Sequence, residues 1–560
     1  MHKAGKWLIR IAVTGILFLL LAGGASAATE RKLTAACPSV NGVTVNARWK
    51  RGEMTLYLPG CWDLTKITLE MEGAETLQLT EEMAPVAPGE TVDLTGLVGQ
   101  KIIVRNEKQQ GRGYLTILQG SPIPSLFLEV DENQLKRVNS SKDNRITDGH
   151  AVYTEPDGTV TYDGALDQLR ARGNNSFLYS KKPYQIKLRE KASLSGMGKG
   201  KTWVLLANWV DISLLRNQIV LDMSRQTGLR HAISCVQADI WINGQYNGLY
   251  TLTEKIQIGK QRIDITNLEK ATEKVNPSPF SPGEIVKDRS GKWPLLRSYP
   301  AVADPEDITG GYIFTVEKRH RLREHPLPGI VTQDELSIRI KEPTYPSTNQ
   351  AAYVYDRFTE LQKALMSPDG VYPMTGKSYE EYLDVTSFAQ RFLIEDWSKN
   401  YDFIAGSQFM YKDSDLVDPL IYAGPSWDYD LCFGNMNDRG YAPSTAYLTD
   451  YRRNLNLYWL LYNHEAFRKT VGAMWQDTFR PAVTVLLGET EAGPDSIVRS
   501  LDEYKSRISA SAAMNFTRWN ARGVADITDE SGRTFEDAGD YLWNWISIRT
   551  EALAKAWLKD

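Results

Sequence analysis

The stretch Ile421 to Asn435, IYAGPSWDYDLCFGN, constrains this chain more than any other. Two carboxylates, Asp428 and Asp430, stand two residues apart. The apolar run Leu420-Ile421-Tyr422 before them reads as a strand ended by Gly424 and Pro425, and Leu431 to Phe433 with Gly434 follow. In a turn, acids at i and i+2 can aim oxygens at one hard cation such as Mg²⁺. The same spacing serves equally as an Asx or capping turn with solvated acids. Trp427, Tyr429 and Phe433 weigh toward the cation, because acids among aromatics are costly to leave without a partner.

Composition and the N-terminus exclude several classes. Lys3, Lys6 and Arg10, the short apolar core Ile11 to Leu21 and the small residues Ala25-Ser26-Ala27 have the layout of an export signal. Residues 1–27 are therefore expected to be removed and the protein secreted or held at the cell surface. The apolar core is short for a membrane span and no later run approaches one, so no integral membrane segment is expected after cleavage. Lys+Arg 65 against Asp+Glu 69, a net charge of −4, gives no electrostatic case for nucleic acid. The cysteines form no C-x-x-C pair and the histidines no His-Glu-x-x-His pattern, which speaks against zinc. Cys37 and Cys61 lie close together in an exported segment and are expected to form a disulfide, whereas Cys235 and Cys432 read as buried small hydrophobes. The many Trp and Tyr suit a large aromatic core or a carbohydrate-binding surface.

Residues 28–121 read as a β-rich accessory domain. Val43-Thr44-Val45, Met54 to Leu58, Ile67 to Met71 and Lys101 to Val104 are short strand candidates, with turn signals at Asn41-Gly42, Pro59-Gly60 and Pro88-Gly89. Their spacing suggests a small β-sandwich. No catalytic constellation falls in it, so a binding or spacer module is expected. Gly120 to Pro124 reads as a linker, and residues 122–560 as a mixed domain whose last part, from about Leu455, is helical.

In that second domain Leu126 to Val130 is a strand candidate. Leu169 to Phe177 is a basic Gly/Asn turn, and Lys181 to Leu188 a strand with Tyr184, Ile186 and Leu188 on one face and Lys187 on the other. A turn with free N–H groups before a strand lysine suits phosphate, and an ordinary hairpin has the same look. Asp211 or Ser213 can cap a helix running to about Thr227. Ala238 to Thr253 reads as a hairpin around Asn243-Gly244, and Glu254 at its end could meet Lys187 or face water. Residues 266–309 look like an inserted loop. Ser378 with Glu381 is a candidate capping box, a helix follows from Asp384 to about Asn400, and Asp402 falls in the next loop. Phe409 to Lys412 and Leu420 to Tyr422 pair as a hairpin leading into Asp428. Gly-containing turn, strand lysine, helix, hairpin, helix, acidic loop and acidic turn is the order of parts in a kinase-like phosphotransferase. His-Arg-Asp, Asp-Phe-Gly and G-x-G-x-x-G are absent.

Four blocks carry a more specific likeness. Arg172-Gly173-Asn174-Asn175-Ser176 with Lys181-Lys182-Pro183-Tyr184 resembles the opening motif of the spore-coat CotH kinase family. Leu205 to Asn208 with Asp211 and Leu215-Arg216-Asn217 is similar to its second block, Asn243 to Tyr250 with Thr253-Glu254 to its third, and Lys399-Asn400, Asp402, Trp427 to Asp430 and Phe433-Gly434-Asn435 to its last. Ala171 stands where the family usually has Gly, which weakens the case for a flexible phosphate loop. The resemblance spans roughly residues 122 to 470, or runs on to the C-terminus, and leaves out the β-rich domain. It implies an α+β, atypical protein-kinase-like two-lobed catalytic domain. It also implies transfer of the ATP γ-phosphoryl group to Ser of a protein substrate, with Mg²⁺ or Mn²⁺. By the same resemblance Lys187 holds ATP phosphates with Glu254 orienting it, and Arg172 lies near the phosphates. Asp428 and Asp430 hold the metal, and Asp402 positions or deprotonates the acceptor hydroxyl. Asp402 and Asp428 are then the catalytic candidates, with the split between base and ligand left open. ATP is scarce outside cells, so the alternative is a non-catalytic surface adhesin or scaffold with cell-surface or spore-surface partners.

Overall fold

The computed structural model describes residues 32–40, 42–288, 295–448, 456–520, 528 and 532–557. The expected export signal lies outside them. Two compact units divide the chain, 1–119 with 243–246, and 120–242 with 247–560.

The first unit is built on strands β1 (Leu33–Ala36), β2 (Thr44–Asn46), β3 (Arg48–Lys50), β4 (Glu53–Leu58), β5 (Ile67–Met71), β6 (Leu77–Gln78), β7 (Thr91–Val92), β8 (Lys101–Asn106) and β9 (Gly111–Gln119). They form two sheets, ordered β2-β1-β5-β7 and β3-β4-β9-β8-β6. Alternation along β1, β5 and β8 buries one face of each sheet, with Leu33, Ala35, Ile67, Leu69 and Val104 almost fully covered. The expected Cys37–Cys61 disulfide is not formed. Cys37 follows β1 in one sheet, Cys61 follows β4 in the other, and the Cys37 thiol shares a 3.0 Å hydrogen bond with Ser39 Oγ.

The second unit opens with β10 (Ser125–Glu129), β11 (His150–Thr154), β12 (Val160–Ala171), β13 (Tyr184–Ala192), β14 (Gly200–Leu206), β15 (Cys235–Ile242) and β16 (Gln245–Glu254). These close into a barrel, β10-β11-β12-β13-β14-β16-β15, sealed by the parallel pair β10–β15. The period of two fills the interior with Leu169, Tyr184, Ile186, Leu188, Trp203 and Leu205. It leaves Gln185, Lys187 and Val204 on the outside. The helix Arg216–Gln226 follows β14 and is buried along most of its length.

A second, seven-stranded sheet then forms from β17 (Val286–Asp288), β18 (Leu295–Ser298), β19 (Tyr312–Val316), β20 (Gly329–Val331), β21 (Ser337–Glu342), β22 (Phe409–Lys412) and β23 (Ile421–Ala423). Its order is β17-β18-β20-β21-β19-β22-β23. The segment expected to be an inserted loop thus supplies helix Leu268–Val275 and strands of this sheet. Helices Thr348–Met366 and Val385–Ser398 share one apolar core with it. The Ser378–Glu381 capping box is present, and Asp384 Oδ1 accepts from Ser387 N at 2.7 Å to start helix Val385–Ser398. That helix carries Phe388, Phe392, Leu393 and Trp397 into the core, so its C-terminal end is fixed in space. The terminal helices Leu501–Arg518 and Phe535–Trp557 pack on the same core. Asn515 Oδ1 joins the first of them to the barrel, accepting from Lys181 Nζ (2.8 Å) and Leu249 N (3.2 Å). The architecture is mixed α+β. Among the described residues no helix is long and apolar enough to cross a membrane.

Candidate active site

Helix Val385–Ser398 ends because Lys399 adopts a left-handed conformation, φ +48°. Such a backbone is unfavourable for lysine, and the fold holds it through the ammonium, which donates to the carbonyls of Gly440 (3.1 Å), Ala442 (2.7 Å) and Thr445 (3.0 Å). The chain turns into Asn400, whose Oδ1 accepts from Asp402 N at 3.2 Å. Asp402 is thereby delivered beside the turn that follows β23. One carboxylate oxygen each from Asp402, Asp428 and Asp430 lies within 4.8 Å of the others. The i, i+2 spacing puts Asp428 and Asp430 on one side of the turn, and Tyr429 between them points into the core. Its hydroxyl accepts from Arg391 Nη1 at 2.7 Å and donates to Glu395. Asp428 itself sits at φ +72°, a strained position for a side chain bearing a Cβ.

The turn is pinned from several elements. Asn217, in the buried helix after β14, accepts from Tyr429 N at 2.9 Å. Arg216 Nε donates to Cys432 O at 2.9 Å, while its guanidinium pairs with Asp211 at 2.7 Å, both side chains fully buried. Asn435 Nδ2 donates to Asp430 O (2.7 Å) and Val210 O (2.9 Å), and Phe433 N to Ser398 O (2.8 Å). Gly434 has φ +73°, and a Cβ there would meet the Trp545 indole nitrogen at 2.3 Å, so the turn closes only with glycine. Asp211, Arg216, Asn217 and Asn435 stand in the quoted motif blocks, but Asp211 is expected there only as a helix cap and the spacing of the other three gives them no role. Ser407, Arg391 and Glu395 carried no sequence signal of this kind.

The electrostatics of the three acids share one cause. Burial pushes the Asp402 carboxyl up to about 7, the Asp428 charge adds to this and Lys318 opposes it. Burial also raises Asp430 far above the usual range, followed by repulsion from Asp428, Asp402 and Asp211. Asp428 is raised by burial against the pull of Arg172 and of the Ser407 hydroxyl, which donates to Oδ2 at 3.1 Å. Among the described residues no side chain donates a hydrogen bond to Asp402 or Asp430. Three converging carboxylate oxygens with such sparse internal partners fit a hard divalent cation.

Arg172, at the end of β12, stacks its guanidinium 5.1 Å from the Trp427 ring and lies within electrostatic reach of Asp428. The structure thus brings Arg172, Asp402, Asp428 and Asp430 together. The expected Lys187–Glu254 pair is not made. Glu254 lies opposite Trp203 in the β14–β16 register and Lys187 opposite Thr202 in the β13–β14 register. Trp203 and Thr202 face opposite sides of β14, so the lysine and the glutamate do too. Arg262 and Ser234 N (3.0 Å) take the Glu254 carboxylate. Lys187 is exposed on the outer face, with no ion pair among the described residues.

The model of the CotH kinase protein family matches residues 169–553, and the chain belongs to that family. The match begins inside β12 and leaves out residues 1–119. No curated protein matches the chain.

Proposed function

We propose that this chain is an exported, atypical protein kinase that transfers the γ-phosphoryl group of ATP to serine of a protein substrate. The observation that carries the reading is the convergence of Asp402, Asp428 and Asp430 beside Arg172 in a member of this family. In this reading the barrel and the sheet-and-helix part are the two lobes, and residues 1–27 direct export. Asp428 and Asp430 would hold Mg²⁺ or Mn²⁺, which supplies charge neutralisation of the phosphates when bound. Arg172 binds phosphate oxygens, its plane set by Trp427 and its approach limited by Asp428. Asp402 orients the serine hydroxyl and accepts its proton at a carboxylate oxygen, a role matched to a carboxyl titrating near neutrality. The hydrogen bonds from Asn217, Arg216 and Asn435 hold this geometry without rearrangement, as charge stabilisation in phosphoryl transfer requires. Lys187 is exposed on the outer barrel face, and among the described residues no contact joins it to the acid cluster.

The test is incubation of the mature chain with labelled ATP and Mg²⁺ or Mn²⁺, with phosphorylated residues mapped and melting curves recorded in parallel. Phosphoserine and a ligand-dependent rise in melting temperature are expected. Neither effect with either metal would transfer the protein to the non-catalytic surface-binder class.

A further inference from the structure

Three cations surround one apolar cluster beside the acidic turn. The cluster contains Phe409, Trp427, Ile256 and Ile258. Arg172 stacks on Trp427, as described. Lys341 Nζ stands 5.9 Å from the Phe409 ring. Lys255 immediately precedes Ile256, and this segment is tied to β21 by Ile258 N donating to Glu342 Oε2 at 3.3 Å.

Lys341 reaches this place through a backbone irregularity. In the β19–β21 ladder Ile313 faces Glu342 and Phe314 faces Ile340, so Lys341 is the extra residue of a β-bulge. Bulges beside sites re-aim a side chain that regular pleating would send elsewhere. Lys341 and Lys255 are both half-buried, and neither makes a hydrogen bond or ion pair among the described residues. Among the described residues no carboxylate stands within ion-pair distance of either lysine: Glu342 and Glu269 act on Lys255, and Glu317 on Lys341, only from farther off, while Glu317 pairs with Arg321 (3.3 Å) and Arg339 (4.0 Å) and Glu254 with Arg262. Burial lowers the Lys341 ammonium to about 8, with Arg339 adding to the effect. Lys255 is lowered by burial too, against the favourable pull of Glu342. Both lysines lie within electrostatic reach of Arg172. Grouped cations that repel one another and lack bonded carboxylates are unfavourable unless an anion joins them.

We propose that Lys341, Lys255 and Arg172 form a cradle for the phosphates of a nucleoside triphosphate, with Lys341 rather than Lys187 as its principal lysine. The assignment rests on the kinase reading. It also explains why Arg172 is shared between the cations and Asp428: it marks where phosphate oxygens meet the acid cluster. Lysines act here as point charges and the arginine as a planar fork, a combination suited to a flexible polyanion.

Calorimetric titration of the full mature chain with ATP, and separately with inorganic tripolyphosphate, each with Mg²⁺, tests it. Lys341→Met and Lys255→Met are each expected to weaken both ligands by about tenfold or more, while Lys341→Arg retains most of the affinity. Lys191→Met, on the exposed end of β13, is expected to match wild type. Wild-type affinity in both methionine variants would overturn the cradle and leave the kinase reading standing. A wild-type chain that binds neither ligand would overturn both. Lys255 lies beyond the last paired residue of β16, so Lys255→Met decides the question should Lys341→Met lose its cooperative melt.

Discussion

The fold buries charge in two contrasting ways within one neighbourhood. Behind the acidic turn three buried carboxylates each have their own cation: Asp211 with Arg216 at 2.7 Å, Glu395 with Arg391 at 2.8 Å, Asp396 with Arg549 at 3.0 Å. In front of it Asp402, Asp428 and Asp430 converge on one another, and the nearest guanidinium acting on Asp428 belongs to Arg172. A protein that can pair three buried acids has the means to pair three more. In the kinase reading the two sets differ in purpose: the rear pairs hold the fold, and the front acids would keep charge available for a ligand cation.

The largest effect that separates the two sets is on chemistry. Asp428→Asn and Asp430→Asn keep the side-chain shape and remove one negative charge. Metal-dependent phosphoryl transfer is expected to fall by about two orders of magnitude or more. Melting without metal is expected to stay level or rise, since repulsion is relieved. Loss of the fold in these variants would place the front acids with the rear ones.

The rear set should respond in the opposite sense. Arg391→Met leaves Glu395 buried without its cation and removes a donor to Tyr429 and to Ser426 Oγ (2.6 Å). A loss of about 3–5 kcal/mol is expected in denaturant unfolding, because an uncompensated charge stays in the core. A change below about 1 kcal/mol would mean that the pair contributes no more than an exposed one.

Much of this arrangement is legible in the sequence, and what was not has a physical reason. The i, i+2 acids among aromatics indicate a shared face, and the apolar run before them a strand, because both follow from local periodicity. The helix from Asp384 and the Ser378–Glu381 box are local signals and stand in the structure as read. Glu254 and Lys187 show the limit. Their separation in sequence says nothing about which face of β14 each meets, and register alone put them on opposite sides. The residues 266–309, rich in Pro, Lys and Glu, hid β17 and β18, because such short strands owe their form to their neighbours in the sheet. Lys341 was invisible for a similar reason: a bulge is a property of two strands, and one strand's pattern cannot show it.

A third prediction concerns pH without metal. The Asp402 carboxyl is pushed up to about 7, chiefly by burial and then by Asp428. In the unfolded chain it titrates near about 4, so between these values the folded state binds more protons. Stability should therefore fall as pH rises across that window, the reverse of the trend for a carboxylate paired with arginine. Melting curves at successive pH values check this, and Asp402→Asn should flatten the trend. Added Mg²⁺ should reverse it, because the cation replaces the proton. A metal-free protein whose stability rises through the same window would show that the acids are solvated.

The smallest effect falls on Ser407, which touches both halves of the acid cluster. Its hydroxyl donates to Asp428 Oδ2 at 3.1 Å, and its backbone N–H donates to the Asp402 carbonyl at 3.2 Å. Ser407→Ala removes only the first contact. A hydrogen bond to a carboxylate favours its charged form, so the variant should hold a proton on Asp428 more tightly. Stability should change by no more than about 1 kcal/mol, since a single partly buried hydrogen bond is at stake. Metal affinity should weaken by a few-fold, and more at pH 6 than at pH 8, because proton and metal compete for the same oxygen. Calorimetric titration with Mn²⁺ at both values separates the outcomes. An equal loss at the two pH values would mean that the hydroxyl orients Asp428 without tuning it. No loss at either would leave the left-handed backbone at Asp428, fixed by Asn217 on the next peptide N–H, as the sole device that aims this carboxylate.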